Sequence, residues 1–535
     1  MKIKEMNPMM TNLSSNKTGS SKLAIKRILI ANRGEIAIRI IRAAKDLGIE
    51  TVAVYSDADQ FSLHVRLADY AVNLPGNTAT ETYLNIPKIV EAIKDSKADA
   101  VHPGYGFLSE NADFADAVTK AGAKFIGPTS KAMRLMGDKV EAKRLMKAHK
   151  VPCVPGSENP LKDVADLEKH AKEIGFPMIL KAAAGGGGRG MRVVRKNDEL
   201  AEAFAACTRE ATSYFGNPAV FCERYIENPR HIEVQILFDE KGHGIHLFER
   251  DCSIQRRHQK LIEEAPSVFL NEEHRKEIGR RAVVAAKAAG YSSAGTIEFI
   301  AESPDRVYFM EMNTRIQVEH TVSEEISNID LVRWQILIAC GHTLPFKQED
   351  MRPRGWAIEV RINAEDPAKG FLPGPGRVNH VRFPAGPGVR VDTHLYPGYE
   401  IPQFYDSMVA KLIVWGETRD VAIARMKRAL AEFEIDGVPT TAKFHEAVLR
   451  HPLFLEGSFN TGFIEQQSEY FKEAFTKIPP SHESESALLG ALIAAEEGQK
   501  SALLRQSQSK DSKESSAASL WRNRGRVESL HRGGQ

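Results

Sequence analysis

Glu311, Asn313, Arg315 and Glu319 stand close together within residues 309–320. Val307, Phe309 and the Met310 region read as a strand, so Glu311 and Asn313, two apart, project from one face. Hard oxygen ligands at that spacing suit Mg²⁺ bridging nucleotide phosphates. Arg315 is able to hold a small anion, and Glu319 to take a proton. Together these groups would activate a small acid with ATP. The bland alternative is a surface strand with ordinary charges.

Other groups strengthen that chemistry. Glu298, in Gly295-Thr296-Ile297-Glu298-Phe299, sits on a strand just before that of Glu311, and a hairpin would bring it beside Glu311 and Asn313. Three oxygen donors on paired strands hold a metal better than any one of them. Lys181 closes an apolar strand and is followed by Ala182-Ala183-Ala184-Gly185-Gly186-Gly187-Gly188-Arg189-Gly190. A lysine before a glycine run suits a phosphate lid, because bare backbone N–H groups can approach the anion and the loop can close. A flexible linker is the alternative. Lys139 is a second candidate phosphate partner, acting as a compact charge. Glu223-Arg224-Tyr225-Ile226 would suit an adenine edge, Glu223 accepting from the exocyclic amine. Residues 253–260, Ser-Ile-Gln-Arg-Arg-His-Gln-Lys, make an expensive core and an unusual exposed strand, so they are expected to line a site.

The elements that must position these groups alternate. Ile28 to Ala31 form a buried-strand pattern, Asn32-Arg33-Gly34 a turn, residues 35–47 an amphipathic helix and 51–55 the next strand. That order argues a parallel α/β sheet. No Gly-x-Gly-x-x-Gly is present, so a phosphate-binding claim cannot rest there. A second unit runs from near Gly137 to about Leu344; a third, from about Arg352 to Gln467, is rich in Gly and Pro and reads as mixed α+β. Residues 507–519 are Ser/Lys-rich and are expected to be disordered, and the basic end from Leu520 is either a disordered tail or a partner-docking segment.

At 535 residues the chain has room for roughly three domains. A formal charge of +2, from 72 basic and 70 acidic residues, gives no global drive toward nucleic acid or membrane. No apolar run reaches the length of a membrane span. Five scattered cysteines form no metal-type pairs and fit a reducing cytoplasm. The first 22 residues lack both an apolar signal core and arginine, so neither a secretory signal nor a mitochondrial presequence is expected.

As a whole the chain resembles biotin carboxylase, the ATP-grasp component of biotin-dependent carboxylases, over about residues 26–465. The resemblance is carried by Ile30-Ala31-Asn32-Arg33-Gly34-Glu35-Ile36-Ala37, residues 102–111, Leu135-Met136-Gly137-Asp138-Lys139, the glycine run, and Glu227-Asn228-Pro229-Arg230-His231. It continues through residues 249–260 and 311–320, Arg361-Ile362-Asn363-Ala364-Glu365-Asp366 and Tyr405-Asp406-Ser407-Met408. It implies α/β and α+β architecture: an extension (1–25), a Rossmann-like N-terminal domain (26–136) and an ATP-grasp domain (137–345) with a mobile glycine-rich lid (about 153–225). A mixed C-terminal domain (350–467) and a partly disordered tail (468–535), which would dock a partner, complete it.

The resemblance also implies that ATP and bicarbonate give carboxyphosphate, whose carboxyl group passes to biotin. Lys139, Lys181, Gly187, Gly188, Glu223, Arg224, Tyr225, Ile226, His231, Gln255 and His258 would then hold ATP. Glu298, Glu311 and Asn313 would hold Mg²⁺ or Mn²⁺. Lys260, Arg315, Gln317 and Val318 would hold bicarbonate, with Glu319 as the base. Arg361 would steady the biotin enolate and carboxyphosphate, and Tyr105 and Asp406 would lie on the biotin side.

Three departures stand out: Ala183-Ala184 where the family commonly has Ser and Gly, Arg224 for Lys, and Thr321 for a frequent Pro. None removes a catalytic group. No Glu-Ala-Met-Lys-Met motif is present, so biotin is expected on a separate carrier protein, with a carboxyltransferase subunit downstream. A cytoplasmic homodimer serving an acyl-CoA carboxylase (acetyl-CoA first) or a pyruvate carboxylase follows from the resemblance. The alternatives are another bicarbonate-activating ATP-grasp ligase and a catalytically silent scaffold.

Overall fold

The computed structural model describes residues 23–182 and 190–477. Residues 1–22, the run from Ala183 and Ala184 through Gly187 and Gly188, and the tail from residue 478 lie outside the described residues. A first compact unit ends at Phe471 and holds the sheets and the cavity.

β1 (Arg27–Ile30), β2 (Glu50–Ser56), β3 (Tyr70–Leu74), β4 (Ala100–His102) and β5 (Lys124–Phe125) pair in parallel in the order 3-2-1-4-5. This is the Rossmann-like sheet expected at the N-terminal end. Ile28, Leu29 and Ile30 have no exposed surface, as a parallel strand covered on both faces requires. Helix Gly34–Asp46 follows β1 and buries Ile36, Ile40 and Ala44. At Gly104 the backbone is left-handed (φ +63°), and a Cβ would come within 2.9 Å of Asn32 Nδ2. Glycine there lets the loop settle on Asn32, whose amide donates to the Pro103 and Tyr105 carbonyls at 2.7 Å each. Tyr105 is thereby fixed beside helix Gly34–Asp46.

β6 (Met178–Ala182), β7 (Met191–Val194) and β8 (Val220–Arg224) form a small antiparallel sheet, order 7-6-8. Its apolar face packs Leu180, Met178 and Cys222 on Leu167 and Cys207 of helices Val164–Ile174 and Leu200–Phe215. Lys181 and Glu223 lie on the opposite face.

The main sheet has eight strands. β9 (Arg230–Phe238), β10 (Gly244–Arg256), β11 (Gln259–Ala265), β12 (Ser293–Ser303), β13 (Arg306–Asn313) and β14 (Trp356–Asn363) run in the order 13-12-9-10-11-14, continued by strands Met408–Gly416 and Val389–Thr393. The units expected at 137–345 and 350–467 share one antiparallel sheet, because β11 pairs with β14. That pairing is non-local: alternating patterns identify strands but not which distant partner completes the ladder.

The two faces of this sheet differ in kind. In β9, Ile232, Val234 and Ile236 pack with Ile278, Ala282 and Ala285 of helix Glu272–Ala288, while His231, Glu233 and Gln235 point the other way. Fully buried Arg250 of β10 anchors that polar face, donating to Gln235, Ser323, Glu233, Thr296 and Gln317. A guanidinium is tolerated in a core when its donors are largely met; here both Nη atoms are, and the buried Nε meets no partner among the described residues. No helix among the described residues is long and apolar enough to cross a membrane.

Candidate functional site

The polar face opens into a cavity of about 1680 Å³ between the main sheet, the small sheet and the Asn32 and Tyr105 loops. Apart from part of the 253–260 run, every described residue nominated from the sequence lines it, from Lys139 and Lys181 at one end to Tyr105, Arg361 and Asp406 at the other. Gly187 and Gly188 lie outside the described residues.

At the first end, Asp138 caps helix Lys139–Ala148, its Oδ1 accepting from the amides of Val140 (2.9 Å) and Glu141 (3.1 Å). The helix presents Lys139 and Lys143 to the cavity. Glu223 is buried and ion-paired with Lys143 and, at 2.6 Å, with Lys181. Burial would raise this carboxyl; the charges of Lys181 and Lys143 overcome that and hold it below the usual carboxylate range. Glu223, expected to face an exocyclic amine, lies in the cavity paired with two lysines. Lys143 was missed, because one lysine among several on an amphipathic helix carries no signal of its own. Arg224 reaches outward to Glu302 at 2.9 Å, while its backbone N–H donates to the Pro155 carbonyl at 2.8 Å and that of Tyr225 to the Pro177 carbonyl at 3.0 Å. Replacing Asp138 with Ala should cost about 1 kcal/mol of stability, and should also weaken ATP binding by misplacing Lys139 and Lys143. Thermal melting and an ATP titration check both; a destabilised protein with unaltered ATP affinity would sink the positioning role.

The polar run at 253–260 is a hairpin. Arg257 and His258 take left-handed conformations (φ +50° and +66°) at its turn. Gln255, His258 and Lys260 line the cavity, whereas Ser253 and Ile254 are buried, and Arg256 turns away to the Gly370 carbonyl and the Phe371 ring. Only part of the run therefore lines the site.

β12 and β13 pair with Glu298 opposite Glu311 and Thr296 opposite Asn313, the expected hairpin. Asn313 Nδ2 donates to Glu298 Oε1 at 2.7 Å, and Gln317 Nε2 to the same oxygen at 2.8 Å. Burial raises the Glu311 carboxyl, and the charge of Glu298 raises it further. Among the described residues no side chain donates to Glu311. Glu311 faces Glu298 with the Asn313 amide oxygen nearby, an oxygen-only donor set in which Glu311 itself has no ion-pair partner among the described residues, and it fits a hard divalent cation. The neighbouring cluster of His231, Glu233 and Glu298 has its ligand atoms within 4.8 Å of one another, but Lys260 and Arg250 already supply cations there. His231 sits 2.9 Å from Glu233 and 3.2 Å from Glu298. Against the lowering effect of burial, Glu298 and Glu233 push it up to about 9, so it is an imidazolium at neutral pH.

The centre is ionic. Lys260 bonds Glu233, Glu298 (3.1 Å) and Glu319 (2.7 Å). Arg361 Nη2 bonds Glu319 at 2.9 Å and its Nε bonds Glu263 at 2.6 Å. Burial would raise Glu319; Lys260 and, more weakly, Arg361 lower it against the opposing charge of Glu233, and it stays ionised. Arg315 reaches Asn313 Oδ1 and Glu110, each at 2.8 Å. The Val318 carbonyl accepts from Lys411 at 2.8 Å. Tyr105 bonds Glu35, and exposed Asp406 accepts from the Met408 amide at 2.9 Å. Glu35, Glu110, Glu233, Arg250, Glu263 and Lys411 were missed as site residues. Only Glu233 left a usable sign: it falls on the polar phase of β9 among fully buried apolar residues.

Models of known families match most of the chain: "Biotin carboxylase, N-terminal domain" at 24–133, "Carbamoyl-phosphate synthase L chain, ATP binding domain" at 138–347 and "Biotin carboxylase C-terminal domain" at 359–466. Biotin carboxylase 1 of Bacillus subtilis is 54% identical over 442 residues, covering 82% of this chain and 98% of that protein. A pyruvate carboxylase subunit of Methanothermobacter thermautotrophicus is 51% identical over 452 residues, 84% of this chain and 92% of its own. The solved biotin carboxylase domain dimer of Hydrogenobacter thermophilus 2-oxoglutarate carboxylase, with MgADP, ADP and bicarbonate, superposes with a TM-score of 0.77 at 50% identity. It covers 84% of this chain and 98% of that one.

Proposed function

The chain belongs to the biotin carboxylase family, and from that premise we propose how its own residues carry out ATP-dependent carboxylation of biotin with bicarbonate. The observation that carries the reading is Glu319, an ionised carboxylate set between Lys260 and Arg361, close to Arg315. Bicarbonate is a poor nucleophile until it loses its proton, and a fixed carboxylate beside cations is what removes it.

Bicarbonate binds against Arg315, Lys260, Gln317 and the Val318 backbone, and Glu319 accepts its proton. As the anion draws on Lys260 and Arg361, those cations hold Glu319 less tightly and its basicity rises. A bicarbonate oxygen attacks the γ-phosphorus, the bond to the β–γ bridging oxygen breaks, and ADP leaves carboxyphosphate behind. Lys139 and Lys181 neutralise phosphate oxygens, and Lys143 keeps Glu223 charge-balanced when Lys181 turns to the nucleotide. Glu223 to Ile226, His231, Gln255 and His258 complete the ATP site. When bound at Glu298, Glu311 and Asn313, Mg²⁺ or Mn²⁺ supplies further charge neutralisation at the phosphates. The carboxyl group then passes from carboxyphosphate to the ureido nitrogen, the released phosphate taking the ureido N–H proton, while Arg361 stabilises the enolate form of biotin and Tyr105 and Asp406 border it.

The biotin is carried on a separate carrier protein, and a carboxyltransferase passes the carboxyl on, acetyl-CoA being the first choice of acceptor and pyruvate the second. Similarity to subunits of different carboxylases supports the shared half-reaction and leaves the acceptor to the partner subunit. The working form is a cytoplasmic homodimer, by likeness to the Hydrogenobacter thermophilus domain dimer.

The test is ADP release with Mg²⁺, ATP and bicarbonate, with and without free biotin, on protein whose mass in solution is measured and expected to be twice that of the chain. Biotin should stimulate release, and excess chelator should abolish it. Release indifferent to biotin would assign another bicarbonate-activating ligase; no release would assign a silent homologue.

A further inference from the structure

Behind Arg361, the β11–β14 register sets Glu263 directly opposite Glu359, and neither has exposed surface. Residues facing each other on adjacent strands hold their Cβ atoms about 4.5–5.5 Å apart. One oxygen of each carboxyl is engaged: Glu263 Oε1 by Arg361, and Glu359 Oε2 by the Thr321 hydroxyl. The remaining oxygens, Glu263 Oε2 and Glu359 Oε1, are buried and meet no donor. Two facing carboxylates in that state would pay for both desolvation and repulsion. One proton placed between them removes a charge and supplies the missing donor.

We propose that Glu263 and Glu359 share a single proton and act as a positioning pair that sets how strongly Arg361 is drawn away from substrate. The idea rests on the role of Arg361 in steadying the biotin enolate. With the proton in place the pair carries one charge, and the Arg361 guanidinium is divided between Glu263, Glu319 and the incoming ligand. Loss of the proton adds a buried negative charge beside Arg361 and pulls it back into the sheet. Burial pushes Glu263 up to about 7 and Glu359 to about 8, the latter helped by the charge of Glu263.

The groups that face the pair come from several elements. Lys411 pulls against Glu359, and Arg361 against both; burial notwithstanding, each cation is held above its usual value by surrounding carboxylates. Glu319 and Lys260 face Glu263 with opposite signs. Glu35, from helix Gly34–Asp46, lies 3.5 Å from Lys411 and is a further buried acid raised by burial. Tyr105 feels the charge of Glu359 from the other side of the cavity. Thr321 is specific to this reading: its hydroxyl favours ionised Glu359, and a proline at that position would have no such donor.

The experiment compares the pH dependence of biotin-dependent turnover in the wild type, Glu359→Gln and Thr321→Val, with infrared spectra of each. The ratio of E359Q to wild-type kcat/KM for biotin should climb about tenfold per pH unit above the pair's titration, with KM for ATP unmoved. T321V should shift the wild-type basic limb to higher pH, and it carries the pH test should E359Q fail to fold. A protonated-carboxyl stretching band should be present at pH 7 in the wild type and absent from E359Q. A flat ratio, or a wild-type spectrum without that band, overturns the proposal. Absence of biotin-dependent turnover with the band intact would instead overturn the reading of Arg361, since the band needs no catalysis.

Discussion

Replacing Glu319 with Gln is expected to lower biotin-stimulated ADP release by about 10²–10⁴-fold, while ATP still binds. The amide keeps the shape but has one acceptor oxygen, so it can keep the bond to Lys260 or to Arg361 and not both, since these cations meet separate carboxylate oxygens. What it loses is the lone negative oxygen that takes the bicarbonate proton. Glu319 is 2% exposed and lies between two cations that keep it ionised, so no other described carboxylate can replace it without moving. Glu233 is committed to Lys260, Arg250 and His231, and Glu263 to Arg361. Rates over a range of bicarbonate concentrations make the check. A large fall in kcat with little change in the KM for ATP is expected; wild-type turnover by the variant would remove Glu319 from the chemistry.

The legibility of this site followed the range of the interactions that build it. Glu298 facing Glu311 was readable because two period-two strands with a short break between Ser303 and Arg306 can only close as a hairpin. Lys181 was readable because a lysine ending an apolar strand before glycines is a local pattern. The ionic layer beneath was not. Lys411 sits in strand Met408–Gly416 amid Val409, Leu412 and Ile413, where a lone lysine resembles an edge charge. Its burial makes sense only once Val318, Glu35 and Asp392 have been brought to it from three other parts of the chain. Glu263 and Glu359 likewise look like ordinary strand glutamates until β11 and β14 pair. The same long-range register joins the two expected units through one sheet.

Those buried charges make Lys260 the residue with the largest combined effect on stability and activity. Lys260→Met should cost about 3–5 kcal/mol, toward the lower end because His231, Arg250 and Arg361 still reach the carboxylates. That is a large part of the ~5–15 kcal/mol typical of a folded domain. Three carboxylates, Glu233, Glu298 and Glu319, converge on its ammonium with no comparable replacement. The pH dependence separates this mechanism from simple misfolding. In the wild type, burial would raise all three carboxyls, but Lys260 is the foremost influence holding each below its usual range. Their contribution to stability is therefore present above the ordinary carboxylate pKa and lost only as the pH falls through the lowered values. In K260M burial prevails and the carboxyls rise, so the deficit should be greatest at neutral pH and shrink as acid protonates them. Urea midpoints for both proteins at pH 7.5 and 5.5 measure the difference; equal deficits at the two values would contradict the charge argument. Adding Glu233→Gln to K260M removes one of the stranded charges and should recover part of the midpoint. Turnover should stay absent, because the bicarbonate anion still lacks the ammonium that would hold it against Glu319.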